Sequence, residues 1–200
     1  MKIAIIDYGM GNLRSVQKAC QFIGFDAEVT DDRRAIEDAT HIILPGVGAA
    51  GDAVMRLREK GLFDLVKAQA KKGKPFLGIC LGMQLLFDRS FEFGEHECLG
   101  LVPGDVVPFR ISERVPHIGW NDLDIKANRL IEGGGGKFVY FVHSYYADNV
   151  PEEYVIATSF YGHRFVAAVG RDNVFGTQFH PEKSGSVGLE ILKNFGGIEQ

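Results

Sequence analysis

A cysteine stands between two glycines at residues 78–82, and this Gly-x-Cys-x-Gly motif constrains the chain more than any other feature. Residues 75–79 form a short apolar run that predicts a buried strand, and the leucines of residues 81–87 follow helical spacing. A sharp strand-to-helix turn crowds the backbone, and flanking glycines relieve that crowding. The motif therefore predicts Cys80 at a strand's carboxyl end and a helix N-terminus, where a thiolate is favoured. A buried structural cysteine remains the alternative on this motif alone.

Strand and helix patterns alternate over the first 90 residues, which predicts right-handed crossovers and a mostly parallel sheet with helices on both faces. The predicted strands are residues 2–7, 26–30, 41–44 and 75–79. The predicted helices are residues 13–23, a short helix capped by Thr30 or Asp31 and reaching Glu37, and residues 53–60, 62–72 and 81–87. Ligands of such sheets bind at the carboxyl ends of the strands, where Asp7, residues 45–48 and Cys80 all fall.

The second half of the chain is rich in strand patterns separated by turn residues. These strands are predicted at residues 99–109, 120–125, 137–143, 154–159, 165–169 and 174–180, before a closing helix at residues 188–195. The glycine run at residues 133–136 is predicted as a hairpin loop. We therefore expect an α/β fold with a doubly wound, mostly parallel central sheet and antiparallel additions. No composition shift marks a boundary, so residues 1–200 are predicted to form one domain.

The composition excludes several classes of function. The chain has 200 residues, of which 46% are hydrophobic and 24% charged, and its net charge is −4. This acidic balance argues against nucleic acid as the main partner, and no apolar run approaches the roughly 18 residues of a membrane span. Cys20, Cys80 and Cys98 form no zinc pattern and no evident disulfide framework, so a reducing cytoplasm is the expected location.

A second motif, Gln-Phe-His-Pro-Glu, occupies residues 178–182. His180 ends a predicted strand that Pro181 cannot extend, and Glu182 is near enough in sequence to turn back toward the imidazole. Taken alone, a strand-end histidine and a solvated glutamate are the simpler explanations. Together with the Cys80 motif they predict a triad in which the histidine moves the thiol proton, protonates a leaving amine and is oriented by the carboxylate.

These two motifs resemble those of the class I, or triad, glutamine amidotransferases. The resemblance covers essentially the whole chain, and Gln84 extends the first motif as it does in that class. Within the class, the chain is most similar to the glutaminase subunits of imidazole glycerol phosphate synthase. The segments that carry this finer resemblance are residues 7–12, 45–48, 116–121 and 140–146, and the continuation of the His180 motif to Ser184.

The resemblance implies hydrolysis of L-glutamine to glutamate and ammonia. It implies Cys80 as the nucleophile, His180 as the acid and base, and Glu182 as the residue that orients the histidine. The predicted oxyanion hole uses the backbone N–H of Leu81 and one backbone N–H from the turn at Val47 and Gly48. The predicted contacts to the amino acid moiety of glutamine are Gln84, Glu92, Ser144 and Tyr145.

The resemblance also implies a heterodimer with a (βα)₈-barrel cyclase subunit. That subunit would receive ammonia shielded from bulk water and convert the nucleotide-like intermediate PRFAR to imidazole glycerol phosphate and AICAR in histidine biosynthesis. No cofactor, metal, nucleic acid or membrane is implied. Asn12, Trp120 and Tyr140 are predicted near the partner interface or its gate, and ordinary strand packing remains open for Trp120 and Tyr140.

Two other functions remain as alternatives. One is a glutaminase subunit of a different synthase, such as the one that makes pyridoxal phosphate, and residues 116–121 argue against it. The other is a catalytically silent module that senses glutamine, and the intact set of Cys80, His180 and Glu182 argues against it.

Several further residues are predicted without a functional role. Cys20 follows the apolar side of the first helix and is expected in the core. Phe22, Phe76 and Phe87 are also assigned to the core. No role is assigned to the remaining histidines at positions 41, 96 and 163.

Overall fold

The computed structural model describes residues 1–126, 128–133 and 136–199, and these residues contain fourteen strands. The strands are β1 (Lys2–Ile6), β2 (Asp26–Thr30), β3 (His41–Gly46), β4 (Phe76–Cys80), β5 (Arg89–Ser90), β6 (His96–Glu97), β7 (Asp105–Pro108), β8 (His117–Asp122), β9 (Asp124–Ile125), β10 (Phe138–His143), β11 (Tyr145–Asp148), β12 (Val155–Tyr161), β13 (His163–Arg171) and β14 (Val174–Thr177).

Six α-helices accompany these strands in the described part of the chain. They are α1 (Leu13–Phe22), α2 (Arg33–Asp38), α3 (Ala50–Glu59), α4 (Phe63–Lys71), α5 (Leu81–Gln84) and α6 (Gly185–Gly196). Short 3₁₀ helices occupy Glu152–Tyr154 and Pro181–Lys183. None of the described helices combines the length and the apolar character needed to span a membrane.

The centre of the large sheet is parallel, with the strand order β2-β1-β3-β4-β14. β13 pairs with β14 in the antiparallel sense, and the sheet continues through β11, β7, β5 and β6. The predicted α/β class, with a parallel centre and antiparallel additions, is confirmed. As a result, the carboxyl ends of β1, β3, β4 and β14 lie at one edge, where ligands bind in open α/β sheets.

Helices cover both faces of the parallel strands. In β1, Ala4 and Ile6 belong to the hydrophobic core that contains α2, α3 and α4. Ile3 and Ile5 belong to the other core, which contains α1 and α6. This division follows from the alternation of side chains along a strand, and it explains why nearly every residue of the central strands is apolar.

The turn after β4 depends on glycine at two positions. Cys80 adopts φ 55° and ψ −110°, a conformation that costs free energy for a residue with a side chain. A Cβ atom at Gly82 would collide with the carbonyl oxygen of Leu44 in β3, and one at Gly78 would lie 2.5 Å from the carbonyl oxygen of Gly82. Both glycines therefore permit backbone contact among β3, β4 and α5. The predicted strand, turn and helix are confirmed, although α5 is a single turn.

The predicted strand at residues 99–109 is wrong in its first half, because β7 begins only at Asp105. The N–H groups of residues 98–102 donate instead to carbonyl groups of residues 85–88, just beyond α5. The last carbonyls of a helix need such external donors. The segment is therefore buried as a cap on the helix end rather than as a sheet strand.

Two predictions about helices are also wrong. The carboxylate of Asp32, and not Thr30 or Asp31, caps α2 by accepting the N–H of Ala35 at 2.9 Å. Phe22 is 79% exposed, because the buried side of α1 lies elsewhere. The burial predicted for Cys20, Phe76 and Phe87 is confirmed, since none of the three has measurable exposure.

β8 and β10 form a separate antiparallel ribbon. β8 begins at His117, three residues before the predicted start, and β11 was not predicted at all. Residues 134 and 135 lie outside the described residues, so the hairpin loop predicted at residues 133–136 is described only at its two ends.

Gly82→Ala should lower the free energy of unfolding by about 3 kcal/mol or more, because a methyl group would be forced against a backbone carbonyl that the sheet holds in place. Denaturant unfolding of the two proteins measures this difference. Gly197→Ala is the matched control, because Gly197 has φ −83° and the nearest atom to its Cβ position is 3.4 Å away. Equal midpoints for Gly82→Ala and the unmodified chain would contradict this account of the turn.

Candidate active site

A cavity of about 440 Å³ lies at the carboxyl edge of the parallel strands. It brings together the predicted nucleophile, the predicted histidine, and all the residues predicted to bind the oxyanion and the substrate. Those lining residues are Cys80, His180, Val47, Gly48, Leu81, Gln84, Glu92, Ser144 and Tyr145. Asn12, Trp120 and Tyr140 do not line this cavity.

Cys80 ends β4 and precedes α5, so its backbone is fixed between two elements. Its Sγ atom lies 3.9 Å from the carbonyl oxygen of Val142 and 3.8 Å from Nε2 of Gln178. Because α5 has one turn, the electrostatic effect of this helix is limited to the N–H groups of that turn, the first of which belongs to Leu81.

His180 follows β14 and lies next to Cys80 because β14 and β4 are parallel neighbours. Its Nδ1 atom is 2.8 Å from Oε1 of Glu182, and the two side chains are only 2% and 1% exposed. The carboxylate can only accept, so Nδ1 carries the proton. His180 Nε2 and Glu182 Oε2 are buried and form no hydrogen bond within the described part of the chain. The predicted alignment of histidine and carboxylate is therefore present, with Nε2 left for a reacting group.

The protonation of His180 reflects opposing effects. Burial lowers the pKa of its imidazole, but interactions with Cys80 and Glu182 outweigh burial and raise the pKa to about 9. Two nearby acidic groups stabilise the positive ring more than the loss of water destabilises it. An imidazolium is the state that can protonate a leaving amine.

The other two cysteines lack this environment. All three cysteines are free thiols, and both Cys20 and Cys98 are fully buried. Burial raises the pKa of each of these two thiols to about 12. Because the thiolate is the reactive form, neither is suited to act as a nucleophile.

The turn after β3 lies beside Cys80, since Gly46 pairs with Cys80 in the sheet. Gly48 has φ 88°, which only glycine adopts without strain, and Val47 beside it is half-exposed. The strand end is anchored by the hydroxyl of Tyr8, which donates to the carbonyl of Pro45 at 2.9 Å. Gly46 allows this packing, since a Cβ atom there would meet the Tyr8 hydroxyl.

Gln84 is held in one orientation. Its Nε2 atom donates to the carbonyl of Tyr145 at 3.1 Å and to Oε1 of Gln178 at 3.0 Å. Both amide hydrogens are thus engaged, which leaves the carbonyl oxygen of Gln84 to accept from a ligand. Sequence reasoning assigned no role to Gln178, which lies two residues before His180 and places its Nε2 atom 3.8 Å from Sγ of Cys80.

Two further histidines stay neutral behind the cavity. Burial lowers the pKa of His143 to about 3 and that of His117 to about 4. His143 Nδ1 donates to the carbonyl of Tyr145 at 2.8 Å, so His143 Nε2 accepts from His117 Nδ1 at 3.1 Å. This chain of hydrogen bonds fixes the main chain around Ser144, which the sequence alone did not indicate.

Glu92 reaches the cavity from the segment between β5 and β6. Its Oε2 atom accepts the N–H of Ala50, the first residue of α3, at 2.8 Å. Burial raises the pKa of Glu92, and the hydrogen bond from Ala50 opposes that effect. The carboxylate is therefore both a lining group and a helix cap.

The residues predicted at a partner interface lie outside the cavity. Trp120 is 56% exposed on β8, and its ring meets the edge of Tyr140 on β10 at a centroid distance of 6.1 Å. Asn12 is the N-cap residue of α1, and its side chain makes no capping hydrogen bond. The exposure of Trp120 is not that of an ordinary core residue of a strand.

Among the described residues, no group of three or more His, Cys, Asp or Glu side chains is placed to hold a metal ion.

Comparisons with known proteins show which proteins this chain resembles. The family described as "Glutamine amidotransferase class-I" matches residues 4–197. The chain is 53% identical to imidazole glycerol phosphate synthase subunit HisH of Syntrophotalea carbinolica, over 98% of this chain and all of that protein. It is 51% identical to the subunit of the same name from Caldanaerobacter subterraneus, over 97% of each chain. PurLQS from Thermotoga maritima has a similar fold, with a TM-score of 0.78 and 23% identity over 98% of this chain and 97% of that one.

Glu182→Gln should lower the pKa of His180 by about one unit or more, because the amide keeps the volume but removes the charge that stabilises the imidazolium. An NMR titration of the His180 ring measures this change. Glu28→Gln is the control, since Glu28 lies on β2, the outermost parallel strand, and pairs there with Lys2 of β1. An unchanged pKa in Glu182→Gln would contradict the proposed electrostatic role of Glu182.

The same ionisation should make stability depend on pH. Since the pKa of His180 is about 9 in the folded chain and 6.5 for an unperturbed histidine, its stabilising effect is complete below pH 6.5 and is lost as the pH rises through 9. Unfolding free energies measured between pH 6 and 10 should therefore fall more steeply for the unmodified chain than for Glu182→Gln.

Proposed function

Since the chain belongs to the class I glutamine amidotransferase family, we propose that it is the glutaminase subunit of an imidazole glycerol phosphate synthase. It hydrolyses L-glutamine to glutamate and ammonia and delivers the ammonia to a cyclase subunit. The observation that carries this proposal is the cavity that joins Cys80 to the buried pair of His180 and Glu182.

The geometry supports a thioester mechanism. His180 already holds its proton as an imidazolium, and the thiolate Sγ of Cys80 attacks the side-chain carboxamide carbon of glutamine. The imidazolium then protonates the leaving nitrogen, so ammonia departs, a glutamyl thioester remains and the ring becomes neutral. Neutral His180 then takes a proton from the water that attacks the thioester, which releases glutamate and restores the thiolate and the imidazolium. Glu182 holds the same ring nitrogen throughout and stabilises each imidazolium.

The negative oxygen of each tetrahedral intermediate needs N–H donors. The N–H of Leu81 lacks an acceptor inside its own helix, and the turn at Val47 and Gly48 supplies the second donor. Losing one such donor typically costs about 3 kcal/mol of transition-state stabilisation. Because Gly48 tolerates both signs of φ, the peptide unit before it can rotate and switch the second donor on or off.

The substrate sites follow from groups at the same cavity. The carbonyl oxygen of Gln84 and the carboxylate of Glu92 are acceptors suited to the ammonium of glutamine. Ser144 and Tyr145 line the same cavity, and their donors suit the carboxylate of glutamine. The positions of these side chains are consistent with a free amino acid as the substrate.

An exposed apolar face is suited to the cyclase partner. Ile118 and Trp120 on β8 lie opposite Val142 and Tyr140 on β10, and Ile118 and Trp120 are both more than half-exposed. Exposed apolar clusters of this kind mark protein interfaces. We propose that this ribbon, with Asn12, contacts a (βα)₈-barrel cyclase that converts PRFAR to imidazole glycerol phosphate and AICAR.

Two further proposals concern the setting of the reaction. The three free thiols are consistent with a reducing cytoplasm. The large sheet draws its strands from both halves of the chain, which is consistent with residues 1–200 acting as one domain.

A glutaminase assay with and without the cyclase tests the function. The isolated chain should hydrolyse glutamine slowly, and the cyclase carrying its own ligand should accelerate hydrolysis, because a ligand shifts an equilibrium through unequal contacts with its two states. Stimulation by a pyridoxal phosphate synthase instead would support the alternative enzyme. No hydrolysis with either partner would support a silent glutamine-sensing module.

Cys80→Ser should reduce glutamine-dependent activity of the complex by about 10³-fold or more, since the hydroxyl lacks the acidity and nucleophilicity of the thiol. Ammonia-dependent synthesis at high pH should persist, because the cyclisation occurs on the other subunit. An electrophilic glutamine analogue should label Cys80 alone, as mass spectrometry of digested protein can establish. Labelling in Cys20→Ala should be unchanged, and labelling of Cys20 or Cys98 that tracked inactivation would overturn the assignment.

Trp120→Ala should weaken binding of the cyclase about tenfold or more, because large exposed aromatics contribute strongly to interfaces. Calorimetric titration of one subunit with the other measures this loss. Phe22→Ala is the matched control, since Phe22 is an exposed aromatic at the end of α1 opposite to Asn12. Equal losses in the two variants would contradict the proposed surface.

A further inference from the structure

The helix that follows the turn at Val47 and Gly48 is not capped by its own sequence. α3 begins at Ala50, and its N-cap residue Ala49 has no side-chain acceptor. The N–H of Ala50 instead donates to Glu92, which lies 42 residues further along the chain. A carboxylate at this position compensates both an unpaired N–H group and the positive end of the helix. The start of α3 is therefore held by Glu92, a residue outside the helix.

Glu92 is itself held by His96. The Nε2 atom of His96 lies 3.1 Å from the carbonyl oxygen of Glu92, and because a carbonyl only accepts, the imidazole donates. The same ring rests on the first turn of α3, since a Cβ atom at Gly51 would lie 2.6 Å from Cε1 of His96.

These contacts form a closed circuit, which we call the α3 clamp: the Ala50 N–H, the Glu92 carboxylate, the Glu92 carbonyl, the His96 ring and Gly51. The clamp begins two residues after Gly48. A displacement of the first turn of α3 would move the neighbouring peptide units, and a misplaced donor stabilises an oxyanion less.

We propose that His96 is a positioning residue for glutamine hydrolysis, which acts through Glu92 to hold the oxyanion turn at residues 47–49 in place. This inference rests on the proposed glutaminase function. It gives Glu92 two roles, because the carboxylate that meets the substrate ammonium also fixes the start of α3. Amino-group recognition and oxyanion stabilisation are thereby linked through one side chain.

The clamp also accounts for an otherwise unexplained glycine. Gly51 does not have a positive φ, so no backbone conformation demands glycine there. The three atoms nearest to the Cβ position of Gly51 all belong to the ring of His96.

The test compares His96→Phe, His96→Gln and Glu92→Ala in the complete complex with the cyclase. Phenylalanine keeps an aromatic ring over Gly51 but donates no hydrogen bond, whereas the amide of glutamine can replace Nε2 as the donor. We expect His96→Phe to lower kcat about fivefold to tenfold, the effect of one lost hydrogen bond, and His96→Gln to recover most of it. Glu95→Gln on the same segment, where Glu95 pairs with Arg89, should leave kcat unchanged.

A double-mutant cycle separates positioning from general destabilisation. If His96 acts through Glu92, His96→Phe should lower kcat less than about twofold when Glu92 is already alanine. Hydrogen exchange gives a readout that does not depend on activity: the amide of Ala50 should exchange faster in both His96→Phe and Glu92→Ala than in Glu95→Gln.

The possible failures are distinguishable. If the unmodified complex hydrolyses no glutamine, the proposed function fails. If that complex is active while His96→Phe has normal kcat, or if the effects of His96→Phe and Glu92→Ala multiply independently, only the positioning role is overturned. Unchanged exchange at Ala50 in both variants would also overturn it.

Discussion

The close contact between α5 and β3 is the constraint on which the site depends. The carbonyl oxygen of Leu44 occupies the space of a missing Cβ atom at Gly82, so the two backbones touch directly. This contact brings the first N–H of α5 beside the turn that follows β3. It also holds Cys80 at a positive φ, with β3 and β14 paired on the two sides of β4. The strain at Cys80 is maintained because three strands and a helix determine its backbone.

The electrostatics of the cavity separate two kinds of buried histidine. His180 faces Glu182 and Cys80, and these acidic neighbours keep its ring charged despite burial. His143 has a carbonyl and another imidazole as partners, so burial prevails and its ring stays neutral. The same type of side chain is thus charged at one position and neutral at the other. The difference arises from whether acidic groups, here Cys80 and Glu182, lie beside the ring.

β10 is the strand of the exposed ribbon that lies next to Cys80. Val142 pairs with Ile118 on the ribbon, and its carbonyl oxygen lies 3.9 Å from the sulfur of Cys80. The next residue, His143, holds the main chain in place through its hydrogen bond to the carbonyl of Tyr145. A partner on the proposed interface at β8 and β10 would therefore contact the strand that lies beside Cys80, and the proposed α3 clamp would hold the turn at residues 47–49. Such contiguous packing is a physical route for coupling two sites.

The sequence by itself determined the alternation of strands and helices, the turn at Cys80 and the pairing of His180 with Glu182. Each of these depends on residues close in sequence, whose spacing reports burial, turn geometry or local hydrogen bonding. The burial predicted for Phe22 from the sequence is wrong, because an apolar residue type does not show which side of a helix is covered.

Only the tertiary structure decided the contacts that cross long stretches of chain. Gln178 meets Gln84 across 94 residues, and Glu92 meets Ala50 across 42. Residues 99–104 have a strand pattern, but N–H groups of this segment cap the carbonyls of residues 85–88 instead. The unpaired carbonyls at the helix end compete with the sheet for these N–H groups. Periodicity records that a residue is buried, but it does not record the partner that buries it. The roles inferred for Glu92 and His96 also depend on the tertiary structure, since they follow from which groups the fold places within hydrogen-bond distance.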